Sequence, residues 1–507
     1  LKLHIDTADI PKFHRYPLLI KNTLSSVAAE QCNSIYFDTP DLYFKKNNYV
    51  LRVRLEKQHW IQTLKHKRGK TPELLDSKQW ESPVDGPHPD LASLLVLMGK
   101  RRRLTRILKK NNLEEQLEPI FGTKMRRTIW HLLSQQGDEI ELTLELGEIE
   151  CGKAKQDINE LELALTSGNP EALFDLALDM QHKIPLRLGN QSEVALGYAL
   201  YAPQLLPLQK NASVRLAPNA SLEEAINIIV DNCLEQVRGN EMGVMQGNDS
   251  EHIHQMRIGL RRLRLALELF SEVFPHDMAL QEDLEWVAAE LGATRNWEVL
   301  AFDTLNSIGK AFPEEVEALT LVARNIAARQ RRHAAIIVGS ARYARLLLTL
   351  GAWIQGVRCT VSLDVDKNKQ SHRSPDFSVK KFSSYLLAHC RRKLLQRGAA
   401  LGEGDPYATH QLRIAAKKLR YTAEFFQSLQ SEHNAGFATA ALSNLLGTLG
   451  EFHDISFADT LLGQLAQLDP PVAKEANFAR GYLAAKTERN SKKVNRIWQR
   501  FRIESAL

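Results

Sequence analysis

Residues 254–264, HQMRIGLRRLR, return 156 positions later as residues 410–420, HQLRIAAKKLR. A chain carrying such a repeat must fold so that two copies of one element are both accommodated. On a helix, His254, Arg257, Arg261 and Arg264 are three, four and three apart and form one cationic stripe. His410, Arg413, Lys417 and Arg420 repeat it at the same spacing. Beside each stripe runs an apolar seam for a core: Met256, Leu260, Leu263, Leu267 and Phe270 in one copy, Leu412, Ala416, Leu419, Ala423 and Phe426 in the other. Like charges four apart, as in Arg257 and Arg261, cost roughly 0.2–0.5 kcal/mol per pair on an isolated helix. A solvated face asks only for charge. Recurrence of residue type at fixed spacing, histidine included, points to an anion held between the stripes.

This motif pair resembles the two signature helices of the CHAD domain. The resemblance implies an all-helical module with internal two-fold duplication that binds inorganic polyphosphate in a basic pore. The repeat extends past the stripes: Leu291-Gly292 precedes Arg295-Asn296 as Leu449-Gly450 precedes His453-Asp454. The small residues are expected to let helices approach, and Arg295 and His453 to face the same site. The polyphosphate-binding set is thus His254, Arg257, Arg261, Arg264, Arg295, His410, Arg413, Lys417, Arg420 and His453. The helical domain should occupy 220–507, with halves of about 220–361 and 379–507 joined by a polar loop at 362–378. Ser221 and Glu224 form a capping box that starts its first helix.

With 507 residues, more than one domain is expected. The net charge of +6 is small for this length, so clustering of charge matters more than its total. Cys32, Cys151, Cys233, Cys359 and Cys390 are odd in number, scattered and without a Cys-x-x-Cys pair. Neither a disulfide framework nor a zinc site is indicated, and a reducing cytoplasm fits. No apolar run suits a membrane span, since residues 334–354 are interrupted by Arg342 and Arg345. No signal peptide is visible. The chain opens on Leu1 and not on Met, so the native start is expected to lie elsewhere.

Residues 1–205 read as strands. Polar and apolar residues alternate over 49–55, 59–65, 127–133, 139–146 and 159–165, with helical patterns at 90–97 and 170–182. Glu141, Thr143 and Glu145 share one strand face, opposite Ile140, Leu142, Leu144 and Leu146; Glu160 and Glu162 oppose Leu161, Leu163 and Leu165. Arg52 and Arg54 share a face too. Two architectures accommodate this: a sheet with one solvated side, or a closed sheet with its charges inward. Pro203, Pro207 and Pro218, between about 201 and 219, mark a boundary, with residues 206–219 as the linker.

The run YFDTPDLYFKKNNYVLRVRLE at 36–56, Thr63-Leu64-Lys65, Arg127 with Trp130, and Glu160-Leu161-Glu162 together resemble a CYTH domain. With the helical repeat, the chain resembles CYTH/CHAD inorganic triphosphatases. The resemblance implies an α+β fold: an antiparallel eight-stranded β-barrel, the triphosphate tunnel, followed by an all-α domain of duplicated helical bundles. It also implies that Lys2, Arg52, Arg54, Lys65, Glu81 and Arg127 are catalytic, and that Glu145, Glu160 and Glu162 hold Mg2+ or Mn2+.

Four positions depart from the family pattern. Its opening Glu-x-Glu-x-Lys is represented by Lys2 alone; Ser77-Lys78-Gln79-Trp80-Glu81 keeps only the last two residues of Arg-x-Glu-aromatic-Glu; Ala164 replaces a third acid. Glu193, after Ser192, stands where the family has a phosphate-gripping lysine.

The expected function is metal-dependent hydrolysis of inorganic triphosphate to diphosphate and phosphate, with polyphosphate bound by the helical domain. No residue stands out as a dedicated general base. Rival readings are a thiamine triphosphatase, an adenylate cyclase, or a polyphosphate-binding or targeting protein whose barrel has weakened catalysis. Basic runs at 329–333, 391–393 and 492–500 read as solvated faces or a rim. Nucleic acid fits poorly, because the stripes lack interleaved aromatics for stacking bases and no reader motif occurs. Oligomeric state is not legible.

Overall fold

The computed structural model describes residues 1–21, 28–56, 58–66, 78–98, 107–108, 112–189, 192–203, 206–247, 249–356, 378–402, 405–430 and 432–504. Cys359 and residues 362–377 of the expected loop lie outside these. Two compact units result: residues 1–206 with 347–355, and residues 207–346 with 356–507.

The first unit is built on nine antiparallel strands: β1 (Lys2–Ile5), β2 (Ala28–Asp38), β3 (Tyr49–Glu56), β4 (His59–His66), β5 (Lys78–Val84), β6 (Glu118–Leu133), β7 (Glu139–Cys151), β8 (Ala154–Ser167) and β9 (Leu186–Leu188). Their order is β5-β4-β3-β2-β6-β7-β8-β1-β9. The expected closed barrel of eight strands is therefore corrected to a nine-stranded sheet that is open among the described residues. The three-residue β9 sits beyond β1 and ends the ladder, while β5 pairs along β4. Among the described residues, no ladder joins these two edges.

The open sheet is nonetheless strongly curled. Six inter-strand steps of ~4.8 Å would hold β4 and β1 about 29 Å apart in a flat sheet, far beyond the ~10 Å over which charges act in salt solution. Yet Lys65 of β4, whose pKa burial lowers, feels Lys2 of β1 and Glu162 of β8. Strand alternation sends the apolar residues to the outer face. There Leu51, Val53 and Leu64 pack with Leu91 and Leu94, and Leu3, Leu142, Leu144, Leu161 and Leu163 pack with Ala177 and Met180 of α1 (Glu171–Gln181).

The inner face has two parts. One is the polar groove described below. In the other, Tyr36, Val50, Phe121, Met125, Ile149 and Ile158 form an apolar plug under α2 (Glu193–Tyr201). Tyr36 stacks on Phe121 at 4.4 Å, and Tyr198 of α2 meets Phe121 edge-on at 5.7 Å. Gly197 allows this seating, since a Cβ there would lie 2.2 Å from the Phe121 ring. The Tyr198 hydroxyl donates to the fully buried Asp38 at 2.8 Å and fixes the far end of the helix.

The second unit is helical, built from α3 (Leu222–Gln246), α4 (Ser250–Phe270), α5 (Met278–Glu298), α6 (Glu317–Val338), the start of α7 (Ala341–Gly356), whose residues 347–355 belong to the first unit, α8 (Val379–Ala399), α9 (Pro406–Phe425), α10 (Glu432–Leu468) and α11 (Ala473–Glu504). Both bonds of the Ser221–Glu224 capping box are made. Packing is repeated: α3 on α4, α4 on α5 and α5 on α6 correspond to α8 on α9, α9 on α10 and α10 on α11. In the first seam Met256, Leu260, Leu263, Leu267 and Phe270 are all buried; in the second Leu412, Ala416 and Phe426 are, while Leu419 and Ala423 are partly covered. Residues of the 206–219 segment lie on these helices: the Gln209 amide donates to Asn240, and the Leu216 amide donates to Ser428 at 2.9 Å. Among the described residues, no single helix is long and apolar enough to cross a membrane, and Cys32, Cys151, Cys233 and Cys390 are free thiols.

Candidate functional sites

The polar groove collects all nine groove residues singled out in the sequence. Arg127 lies opposite Glu145 across β6 and β7, Glu145 opposite Glu160 across β7 and β8, and Lys2 opposite Glu162 across β1 and β8. Arg52 and Arg54 face the same way on β3, with Arg52 opposite Thr63 and Thr63 opposite Glu81. Bases and acids are matched. Arg127 Nε donates to Glu145 at 2.8 Å, Lys2 Nζ lies 3.8 Å from Glu160 and 3.9 Å from Glu162, and Arg54 lies 3.5 Å from Glu81 and 3.4 Å from Glu56. Thr63 donates to the same Glu81 oxygen at 3.1 Å. Burial lowers the pKa of Arg127, but Glu145 outweighs it, so that the guanidinium is held charged more firmly than usual.

Three groove contacts escaped the sequence reading. Glu193, flagged there only as a departure, lies 3.9 Å from Arg52 and accepts a hydrogen bond from the buried hydroxyl of Tyr36. Burial and then Glu193 push the Tyr36 pKa far up, while Arg52 pulls it back. Glu56 shares Arg54 with Glu81. Tyr36 opens the run that resembles a CYTH domain, but its place opposite Arg52 across β2 and β3 is a matter of register.

The carboxylates Glu145, Glu160 and Glu162 are hard oxygen donors on one face of adjacent strands, the donor chemistry that suits Mg2+ or Mn2+. Each is turned toward a basic side chain, and among the described residues no three acidic, histidine or cysteine side chains converge as a preformed cage. A metal bound there would compete with Arg127 and Lys2 for these carboxylates.

In the helical unit both stripes line one cavity of about 860 Å³. His254, Arg257, Arg261 and Arg264 enter from α4, His410, Arg413 and Lys417 from α9, Arg295 from α5 and His453 from α10. Arg420 is the exception. Glu424, one turn on, accepts from its Nε at 2.8 Å and holds it along its own helix, and Arg420 does not line the cavity. Arg264 is likewise held by Glu285 at 2.9 Å.

The centre is therefore Arg257, Arg261, Arg413 and Lys417. Among the described residues none of these four has a carboxylate oxygen within 4.0 Å. Arg257 donates to the Gly292 carbonyl at 3.1 Å, and Arg261 approaches the Tyr421 hydroxyl at 3.5 Å. Gly292 gives Arg257 this access, whereas Gly450 faces open space and mediates no close helix contact.

Crowding of like charge is visible in the titration of the cluster. Burial, then Arg261, Arg413 and Arg257, push Lys417 down to about 6; burial, then Arg261, Arg295 and Arg413, push Arg257 down to about 10. Burial lowers His254, His410 and His453 as well. The His410 and His453 rings stack at 5.6 Å. Behind Arg295 lies Glu298, 1% exposed, 3.8 Å from Arg295 and 3.9 Å from Arg331. A π-helical turn, Val299–Thr304, follows it.

Fold and charges thus define a chain of two modules, a curled antiparallel sheet with acids and bases on one face and a duplicated helical unit with a cationic cavity. The sequence profile of the CYTH domain matches residues 11–198 and that of the CHAD domain residues 228–463, so the chain joins a CYTH domain to a CHAD domain. An inorganic triphosphatase of Haemophilus influenzae is 32% identical over 173 residues, 34% of this chain and 46% of that protein. The chain thus spans less than half of that relative's length. The crystal structure of the CHAD domain from the plant Ricinus communis superposes with a TM-score of 0.52 at 36% identity, over 58% of this chain and 96% of the plant chain.

Proposed function

We propose that the groove hydrolyses inorganic triphosphate to diphosphate and phosphate in the presence of Mg2+ or Mn2+, and that the helical unit binds polyphosphate. The carrying observation is the single inner face on which Glu145, Glu160 and Glu162 stand with Arg52, Arg54, Lys65 and Arg127. Phosphoryl transfer asks for positioning and charge neutralisation more than for covalent chemistry. Glu145, Glu160 and Glu162 would hold the metal, which supplies Lewis-acid neutralisation of phosphate oxygens and a more acidic water. Engaging these carboxylates releases Arg127 and Lys2 to grip phosphate oxygens through charge-assisted hydrogen bonds. Arg54, held by Glu81, and Lys65 complete the basic wall. The matched charges of the groove are the reason phosphate chain and metal should enter together: either alone would leave one set of charges without its partners.

In the helical unit, Arg257, Arg261, Arg413 and Lys417 lie without ion-paired acids among them, and a chain of phosphates between α4 and α9 would relieve their repulsion. The three histidines and Arg295 flank that path, and Arg264 adds to it at the cost of its Glu285 partner.

Phosphate release from triphosphate, ATP and thiamine triphosphate, each with Mg2+ and with Mn2+, tests the first part. Inorganic triphosphate should turn over fastest. Equal rates on all three contradict the inorganic assignment, and no turnover with polyphosphate binding intact favours a binding protein.

A further inference from the structure

The groove is blind at one end. The plug of Tyr36, Val50, Phe121, Met125, Ile149 and Ile158 fills the inner face there, with α2 seated over it. Glu193, the first residue of α2, stands where plug and groove meet. Its position is built: the Ser192 hydroxyl caps the helix by accepting from the Ala195 amide, and the Tyr36 hydroxyl, on a residue only 1% exposed, donates to the Glu193 carboxylate. From that anchored place the carboxylate reaches Arg52 at 3.9 Å, and its charge is also felt by Lys65. An oxyanion accepting from a phenol and facing a guanidinium is the contact set a terminal phosphate would make there. The chain supplies that anion itself.

We propose that Glu193 occupies the innermost phosphate position of the groove, beside Arg52 and Tyr36, and so makes the site one phosphate shorter than its basic wall would otherwise allow. This rests on the reading of the groove as a phosphate-chain site and adds to it the residue that sets chain length. A phosphate pushed to the blind end would meet a fixed carboxylate and would find Arg52 already engaged, whereas phosphates further out meet Arg54, Arg127 and Lys2. Glu193→Gln keeps an oxygen for the Tyr36 hydroxyl and the shape of the helix start, but removes the charge. Arg52 then becomes available for one more phosphate.

The test compares tripolyphosphate with linear tetrapolyphosphate on the full chain, parent and Glu193→Gln, at one ionic strength and with Mg2+, reading both kcat/KM and the calorimetric Kd. One more charge-assisted contact should raise the tetraphosphate-to-triphosphate ratio about tenfold or more in the variant. Glu193→Ala, which also frees Arg52, should move the ratio the same way; thermal unfolding of both variants shows whether the helix start survives, and should either unfold, the other carries the comparison. A ratio unchanged in folded variants that still bind or turn over triphosphate overturns the proposal and leaves the groove reading standing. A parent that neither binds nor hydrolyses either chain overturns both.

Discussion

Lys417 carries the most perturbed amine of the cavity. Its pKa in the folded chain, about 6, lies far below the ordinary 10.5 because it is buried among Arg261, Arg413 and Arg257. A lysine whose folded pKa is depressed removes stability as pH falls from its unfolded pKa toward its folded one, and the loss is complete below about 6. Lys417→Met should therefore raise the Tm of the ligand-free protein at pH 7, by about 2–4 °C per kcal/mol relieved, and by less at pH 10. Scanning calorimetry at both pH values checks this; a lower Tm at pH 7 would show that the amine is not strained. Binding of a polyanion raises the pKa of the same amine, so polyphosphate should be bound with proton uptake near pH 7, seen as a buffer-dependent calorimetric heat that Lys417→Met diminishes. In the groove, Glu162→Gln removes the charge of one proposed metal ligand and keeps the shape. Hydrolysis should fall on the order of a hundredfold or more with Tm nearly unchanged. Unchanged turnover at saturating Mg2+ would contradict the metal role.

Elements were legible where a period was sustained. The strand alternation at 139–146 and 159–165 sends Glu145, Glu160 and Glu162 to one face because side-chain direction follows directly from period two. The helical stripes were legible for the same reason at period 3.6. What alternation does not encode is pairing order: nothing in Leu186–Leu188 announces a ninth strand beside β1, where eight strands were expected. Nor does a stripe reveal its neighbours. Arg420 fits the spacing as well as Arg413, but an acid one turn later on the same helix takes it away. The plug was equally silent, since Tyr36, Phe121 and Tyr198 are far apart in sequence and share no period. At this scale Gly197→Ala is the sharp test. A Cβ at 2.2 Å from a rigid, stacked Phe121 ring cannot be accommodated without shifting α2, so a loss of about 1–3 kcal/mol is expected in denaturant unfolding. A variant as stable as the parent would mean that α2 does not seat on the plug as described.

Across the whole chain, two units use like chemistry to different ends. The groove matches each of Lys2, Arg52, Arg54 and Arg127 with a carboxylate, which suits a ligand arriving with a metal and leaving changed. The cavity leaves Arg257, Arg261, Arg413 and Lys417 facing one another, which suits an anion that is held. That division is the central claim, and a double dissociation tests it most directly. Triphosphate hydrolysis and long-chain polyphosphate affinity are to be measured at one ionic strength for the parent, Glu162→Gln and the Arg257→Ala/Arg413→Ala double variant, with duplex DNA of equal charge as the competing polyanion. The account predicts that Glu162→Gln loses hydrolysis and keeps polyphosphate binding, that the double variant loses most polyphosphate affinity and keeps hydrolysis, and that DNA binds the parent more weakly than polyphosphate. Polyphosphate binding unaffected by the double variant, or DNA bound as tightly, would contradict it and return the stripes to solvated helix faces.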